Sequence, residues 1–193
     1  DNMSRDEDQE FFADGISEDL ITALSLWRQF PVIARNSTFT YKGQKIDVKQ
    51  VGKELGARYV LEGSVRKAGN RLRITAQLID AESGAHVWAE RFDRELEDIF
   101  DLQDEITESI VLNIMPEISM AETDRAVRVP PANLDAWEYL QRGVWHVYRY
   151  TREDNEKARE YFLVALERDP SLSLAAAYSA TVIVFEVLFG WTD

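Results

Sequence analysis

Residues 57–92 carry the clearest hydrophobic pattern in the chain. Between residues 71 and 78, Leu72, Ile74, Ala76 and Leu78 alternate with Arg71, Arg73, Thr75 and Gln77. A period of two is the mark of a strand with one buried face. Tyr59, Leu61, Gly63 and Val65 share a face in the run before it, and Trp88 and Phe92 share one in residues 86–92. Ala68-Gly69-Asn70 and Glu82-Ser83-Gly84 supply the two turns. The stretch reads as three consecutive strands, with almost nothing in it that could do chemistry.

Helical spacing governs the flanks. Ile16, Leu20, Ala23, Leu24 and Trp27 fall on one helix face, with Asp14 as the expected N-cap and Pro31 beyond the end. Val32-Ile33-Ala34 reads as a short buried strand, and residues 36–45 as a polar loop. A second helix follows Asp47 through Val48, Val51 and Leu55, stopped by Gly56. A long helix is predicted over residues 96–114 from Ile99, Leu102, Ile106, Ile110 and Ile114, with Pro116 interrupting it. Val129-Pro130-Pro131 is the clearest linker, because paired prolines cannot continue a helix. Beyond it, residues 134–150, 155–168 and 172–189 all read as helices.

Two modules are therefore expected, residues 1–128 and 132–193. The first is an α+β domain with a mixed sheet packed by helices. A strand such as Val32–Ala34 needs parallel neighbours, so a first strand is expected outside this chain, leaving an open sheet edge suited to pairing with another chain. The chain opens DNMSRDEDQEFF, without an initiating methionine or a leader-like apolar run, and reads as a segment of a longer protein.

Composition narrows the function. The 193 residues are 45% hydrophobic and 30% charged, a globular balance. Net charge is −13, from 22 basic and 35 acidic residues. That surface repels a phosphate backbone, so nucleic acid is not an expected partner. The absence of cysteine removes thiolate catalysis, disulfides and cysteine metal sites, and it suits a reducing cytoplasm.

The remaining candidates for chemistry are thin. Gly52, Gly56 and Gly63 lack the spacing of a phosphate-binding loop. His86 and His146 stand without acidic or histidine neighbours at metal-ligand spacing. Glu90, Asp93, Glu95, Glu97 and Asp98 form an acidic cluster, explained most simply as a strand end leading into a helix N-terminus. Arg66, Lys67, Arg71 and Arg73 form a basic patch on the first hairpin. It is read as a solvated face, with Arg66, Arg71 and Arg73 as the candidates for docking an acidic partner. Residues 172–191 are almost wholly apolar, but Glu186 makes a membrane helix the weaker reading.

Two resemblances add to this. Gly143, then Ala158, Phe162, Ala165 and Pro170, resemble a tetratricopeptide repeat, in which small residues let two helices approach and an aromatic fills the gap. The turn at residues 150–154 is longer than that pattern allows. Residues 174–180, with Tyr178 and Ala180, resemble the first helix of another repeat. In the first module, Phe12-Ala13-Asp14-Gly15, residues 56–64, Gln77-Leu78-Ile79-Asp80, Gly84 and Trp88 resemble the TolB N-terminal domain family, with its FlgO-like and CsgG-like relatives. The combination looks like the regulatory region behind bacterial class III adenylate/guanylate cyclase domains or winged-helix transcription regulators. It implies a non-catalytic regulatory region, with no cofactor, that binds a protein or peptide and works in the cytoplasm. The alternative is a periplasmic, envelope-associated binding module. A homodimer through the exposed terminal helix or the open sheet edge is a further expectation. Trp137, Tyr148 and Phe162 are expected mainly to pack.

Overall fold

The computed structural model describes residues 1–4, 8–27, 30–96, 98–128 and 134–191. Among them are seven α-helices and a three-stranded antiparallel sheet, an α+β chain. Contacts divide it into two compact units, residues 1–117 and 118–193. The expected linker at residues 129–131 lies outside the described residues.

The first unit contains α1 (Asp8–Leu26), α2 (Arg35–Thr38), a 3-10 turn (Phe39–Tyr41), α3 (Val48–Leu55), β1 (Tyr59–Ala68), β2 (Arg71–Asp80), β3 (His86–Glu95) and most of α4 (Ile99–Arg128). The three strands form the meander read from the alternation, in the order β1-β2-β3. Pairing reaches Ala68↔Arg71 because Gly69, at φ +62°, allows a two-residue turn there. Val65, Leu72, Ile74, Ala76, Leu78 and Phe92 are buried on one face.

Helix α4 buries Leu102, Ile106, Ile110, Val111 and Ile114. Asn113 Nδ2 donates to Glu90 at 3.2 Å, and Arg94 Nε donates to Glu105 at 2.8 Å, joining α4 to β3. The buried Gln103 amide donates to the carbonyl of Phe12 at 3.4 Å, joining α4 to α1. A Cβ on Gly15 would lie 1.9 Å from that amide nitrogen.

Four local expectations are corrected. Helix α1 begins at Asp8, not at Asp14: Phe12 and Ala13 are buried with Ile16 and Leu20, so the apolar face starts a turn earlier. Asp14 instead pairs with Lys42, which also holds Glu10. Val32-Ile33-Ala34 forms no strand, since no described segment pairs with it. The polar loop at residues 36–45 is largely α2 and the 3-10 turn. Helix α4 runs through Pro116, which is exposed; burial of Ile118 and Ala126 beyond it outweighs one lost hydrogen bond.

The sheet is also simpler than the mixed sheet expected. Its only parallel pairing among the described residues is a bridge from Asn2 to Val65. Met3 N–H donates to the Val65 carbonyl at 2.9 Å and Val65 N–H to that of Asp1 at 2.9 Å.

The second unit holds the end of α4 with α5 (Ala136–Val147), α6 (Arg152–Arg168) and α7 (Ser173–Leu188). Asp135 caps α5 in a reciprocal capping box with Glu138, and Thr151 caps α6. That cap starts α6 at Arg152, so the connection is shorter than the turn expected at residues 150–154. Leu140, Val147, Ala158, Phe162, Ala165, Ala175 and Val182 form a common core. Asn155 Nδ2 donates to the Val182 carbonyl at 3.2 Å, tying α6 to α7. Among the described residues, no helix is long and apolar enough to cross a membrane.

Candidate functional site

The open face of the sheet gathers residues that lie far apart in sequence. Register sets Arg66 beside Arg73 beside Asp93, Ser64 beside Thr75 beside Arg91, and Arg71 beside Glu95. Arg73 holds Asp93 through two bonds, Nε to Oδ1 at 2.6 Å and Nη2 to Oδ2 at 3.1 Å. Arg91 reaches the same carboxylate at 3.4 Å. Hydrogen bonding from Arg73, with the charges of Arg73, Arg91 and Arg71, keeps the Asp93 carboxyl below its usual range. Arg66 and Arg71 are exposed on this face. The basic patch and part of the acidic cluster thus share one charge-paired surface.

The rest of the acidic cluster disperses. Glu90 accepts from Asn113 on the opposite face, and Asp98 caps α4 by accepting from the N–H groups of Phe100 and Asp101. Glu97 lies outside the described residues. Glu90, Asp93 and Asp98 are thus each engaged at a different place, on α4, on β2 and at the α4 N-terminus.

The glycines and histidines take structural positions. Gly56 is a left-handed helix stop at φ +65°, and Gly52 brings α3 against Ala81. His86 is exposed at the start of β3. His146 Nδ1 lies 2.8 Å from Asp154 Oδ1, and its ring stacks on Tyr161 at 5.4 Å. Hydrogen bonds from Thr151 and His146 hold the Asp154 carboxyl low. Among the described residues, no group of three or more His, Cys, Asp or Glu side chains could hold a metal.

In the helical unit, Gly143, Ala158, Phe162 and Ala165 come together in the α5–α6 contact, and all four are buried. Phe162 stacks on Tyr178 at 5.5 Å, which carries the contact on to α7. Pro170 is exposed just after the Asp169 cap. Trp137 is half-buried against this core, while Tyr148 is 55% exposed.

An aromatic row escaped the sequence reading. Tyr150 adopts φ +53° and packs on Phe185 at 5.4 Å; Phe185 meets Phe189, and Phe189 stacks on Trp191 at 4.9 Å. Its signal was available as aromatics four residues apart near the end of α7, but the position of Tyr150 depends on a non-glycine left-handed turn. Ile183, Val184, Val187 and Leu188 are exposed on α7 as well.

The chain also resembles known proteins. Residues 5–109 match the family described as HilA/YgeH-like transcriptional regulator, second domain. A Rhizobium meliloti (strain 1021) protein named "Putative adenylate cyclase 3" is 44% identical over 191 residues, 99% of this chain. The chain spans 32% of that relative's length. The crystal structure of lipoprotein GNA1162 from Neisseria meningitidis is similar over 58% of this chain and 89% of that one, at 16% identity and a TM-score of 0.42.

Proposed function

We propose that this chain, which belongs to the HilA/YgeH-like family of transcriptional-regulator second domains, is a non-catalytic regulatory and protein-interaction region of a larger bacterial signalling protein. One observation carries the reading. The same sequence matches the second domain of a regulator family and about a third of a protein named as a cyclase. A unit that accompanies two such different outputs is better read as a regulatory partner than as the catalyst of either. The effector is then a nucleotide cyclase or a winged-helix domain, and the compartment is the cytoplasm.

Within that role, residues 1–128 form a TolB N-terminal-like module. Residues 132–193 begin a tetratricopeptide-type array, with α5 and α6 as one repeat and α7 opening the next. The Gly143–Phe162 approach and the buried Ala158 and Ala165 support this reading of α5 and α6. The array binds a protein or peptide, and Arg66, Arg71 and Arg73 provide a docking face for an acidic partner.

The test is a cyclase assay, with ATP and with GTP, on the 193-residue chain and on a full-length protein that contains it. The chain alone should form no cyclic nucleotide, and Phe162→Ala in the full-length protein should change its turnover. Turnover by the chain alone, or a full-length cyclase indifferent to that change, would overturn the proposal.

A further inference from the structure

The two edges of the sheet are not equivalent. Along β1, the backbone groups that face outward at Gly63, Val65 and Lys67 are engaged by residues 1–4: the Asp1 amino group donates to the Gly63 carbonyl at 2.7 Å, and Lys67 N–H donates to Ser4 Oγ at 2.8 Å. Along β3, no strand among the described residues covers the outward groups. Leu96 N–H donates to the Asn70 carbonyl at 2.9 Å, which turns the even-numbered residues of β3 toward β2. Strand alternation then points the N–H and C=O groups of Ala89, Arg91, Asp93 and Glu95 away from the sheet. Among these outward groups, the structure shows one partner within the described residues: Arg94 Nη1 donates to the Asp93 carbonyl at 3.1 Å, a surface bond that an incoming strand can replace.

Charges on an edge strand ordinarily keep other strands away. Here their order is self-complementary. The sequence Glu90-Arg91-Phe92-Asp93-Arg94, paired antiparallel with itself about Phe92, sets Arg91 of one copy opposite Asp93 of the other. It also sets Glu90 opposite Arg94, and each pairing occurs twice. Arg91 and Asp93 are among the outward-facing residues, so they form the hydrogen-bonded pairs of the new ladder. Sliding the register by two residues in either direction places Arg91 on Arg91 or Asp93 on Asp93, which like-charge repulsion disfavours. The Arg91 and Asp93 side chains are exposed on the open face of the sheet, within reach of a second copy.

We propose that β3 is a self-recognition edge: two copies of this chain join β3 to β3 about a two-fold axis at Phe92, making one continuous six-stranded sheet. The occupant is a second copy, because the charge order complements itself most fully in this register: sliding two residues toward Glu95 keeps two Arg91–Glu95 pairs but sets Asp93 on Asp93. This inference is independent of which effector domain accompanies the chain.

Sedimentation velocity on the 193-residue chain tests it over a concentration series. The wild type should form a dimer. Arg91→Glu and Asp93→Arg should each weaken it on the order of tenfold or more, since each turns both two-fold-related pairs repulsive. Mixing the two variants should restore a dimer. The glutamate introduced in one copy then meets the arginine introduced in the other, and the unchanged Asp93 of the first meets the unchanged Arg91 of the second. Ala89→Pro, which removes an outward N–H without touching the β2 ladder, should also weaken the dimer and serves if Asp93→Arg fails to fold. A wild-type monomer throughout the series, a dimer insensitive to these changes, or a mixture that stays monomeric would overturn the proposal.

Discussion

A Cβ built on Gly143 of α5 would stand 2.4 Å from Cε1 of Phe162 on α6. The two helices therefore meet ring against backbone, and Phe162 is fully buried with the Tyr178 ring stacked on it. Alanine at 143 gains about 1 kcal/mol of helix propensity. It forces a ring that has no empty side to move, and overpacking of this kind costs about 1–3 kcal/mol. Gly143→Ala should therefore be destabilising overall. Phe162→Ala should cost more, about 3–5 kcal/mol, through the cavity it leaves. Urea unfolding measures both; a stabilised Gly143→Ala protein would show that the contact is looser than described.

Two glycines of the first unit should respond differently to the same change. At Gly15 an added Cβ meets the end of the Gln103 side chain, which can swing away at the loss of its bond to Phe12. At Gly52 it meets Ala81 Cβ at 2.4 Å and the Ala57 carbonyl oxygen at 2.8 Å. Neither of those can move without the backbone. Gly52→Ala should thus cost about 1–3 kcal/mol and exceed Gly15→Ala. Thermal melts of the two variants side by side decide it, and the reverse order would be contrary to this account.

Legibility in the sequence followed the range of the interactions. The meander was readable because alternation is local, and the stop at Gly56 was readable because a left-handed cap follows directly on its helix. Asp14 looked like an N-cap, yet its carboxylate is used by Lys42, 28 residues away. The basic patch and the acidic cluster looked like separate surfaces until register set Arg73 against Asp93, 20 residues on. Pro116 is a strong local breaker, but the burial that carries α4 past it lies further along the chain. The free edge of β3 has no sequence signature, because it depends on which strands pair elsewhere in the sheet.

Tyr178 should report on the α5–α7 contact at alkaline pH. Burial, reinforced by the Tyr148 hydroxyl at 3.4 Å, pushes its phenol up to about 12 from an ordinary 10.0. The folded protein then holds a proton that the unfolded chain releases. The stabilisation is complete below pH 10 and is lost as pH rises through 10 toward about 12. Near-ultraviolet titration should show Tyr178 titrating late among the seven tyrosines, alongside Tyr41, which its hydrogen bond to Glu54 also pushes up. Tyr148→Phe should lower the Tyr178 midpoint, and an unshifted midpoint would remove Tyr148 as a cause.

Asp93 makes the opposite test in acid. Its carboxyl is held below the usual 3.8, first by hydrogen bonds from Arg73, then by the charges of Arg73, Arg91 and Arg71. A depressed carboxylate contributes stability above its unfolded value, and that contribution fades as pH falls through the lower folded value. Arg73→Ala should therefore raise the Asp93 midpoint, though not fully to the ordinary value, because Arg91 still reaches it at 3.4 Å. Carboxyl carbon chemical shifts followed across the acid range measure this directly. A midpoint unchanged by Arg73→Ala would mean that the guanidinium is not held on the carboxylate in solution.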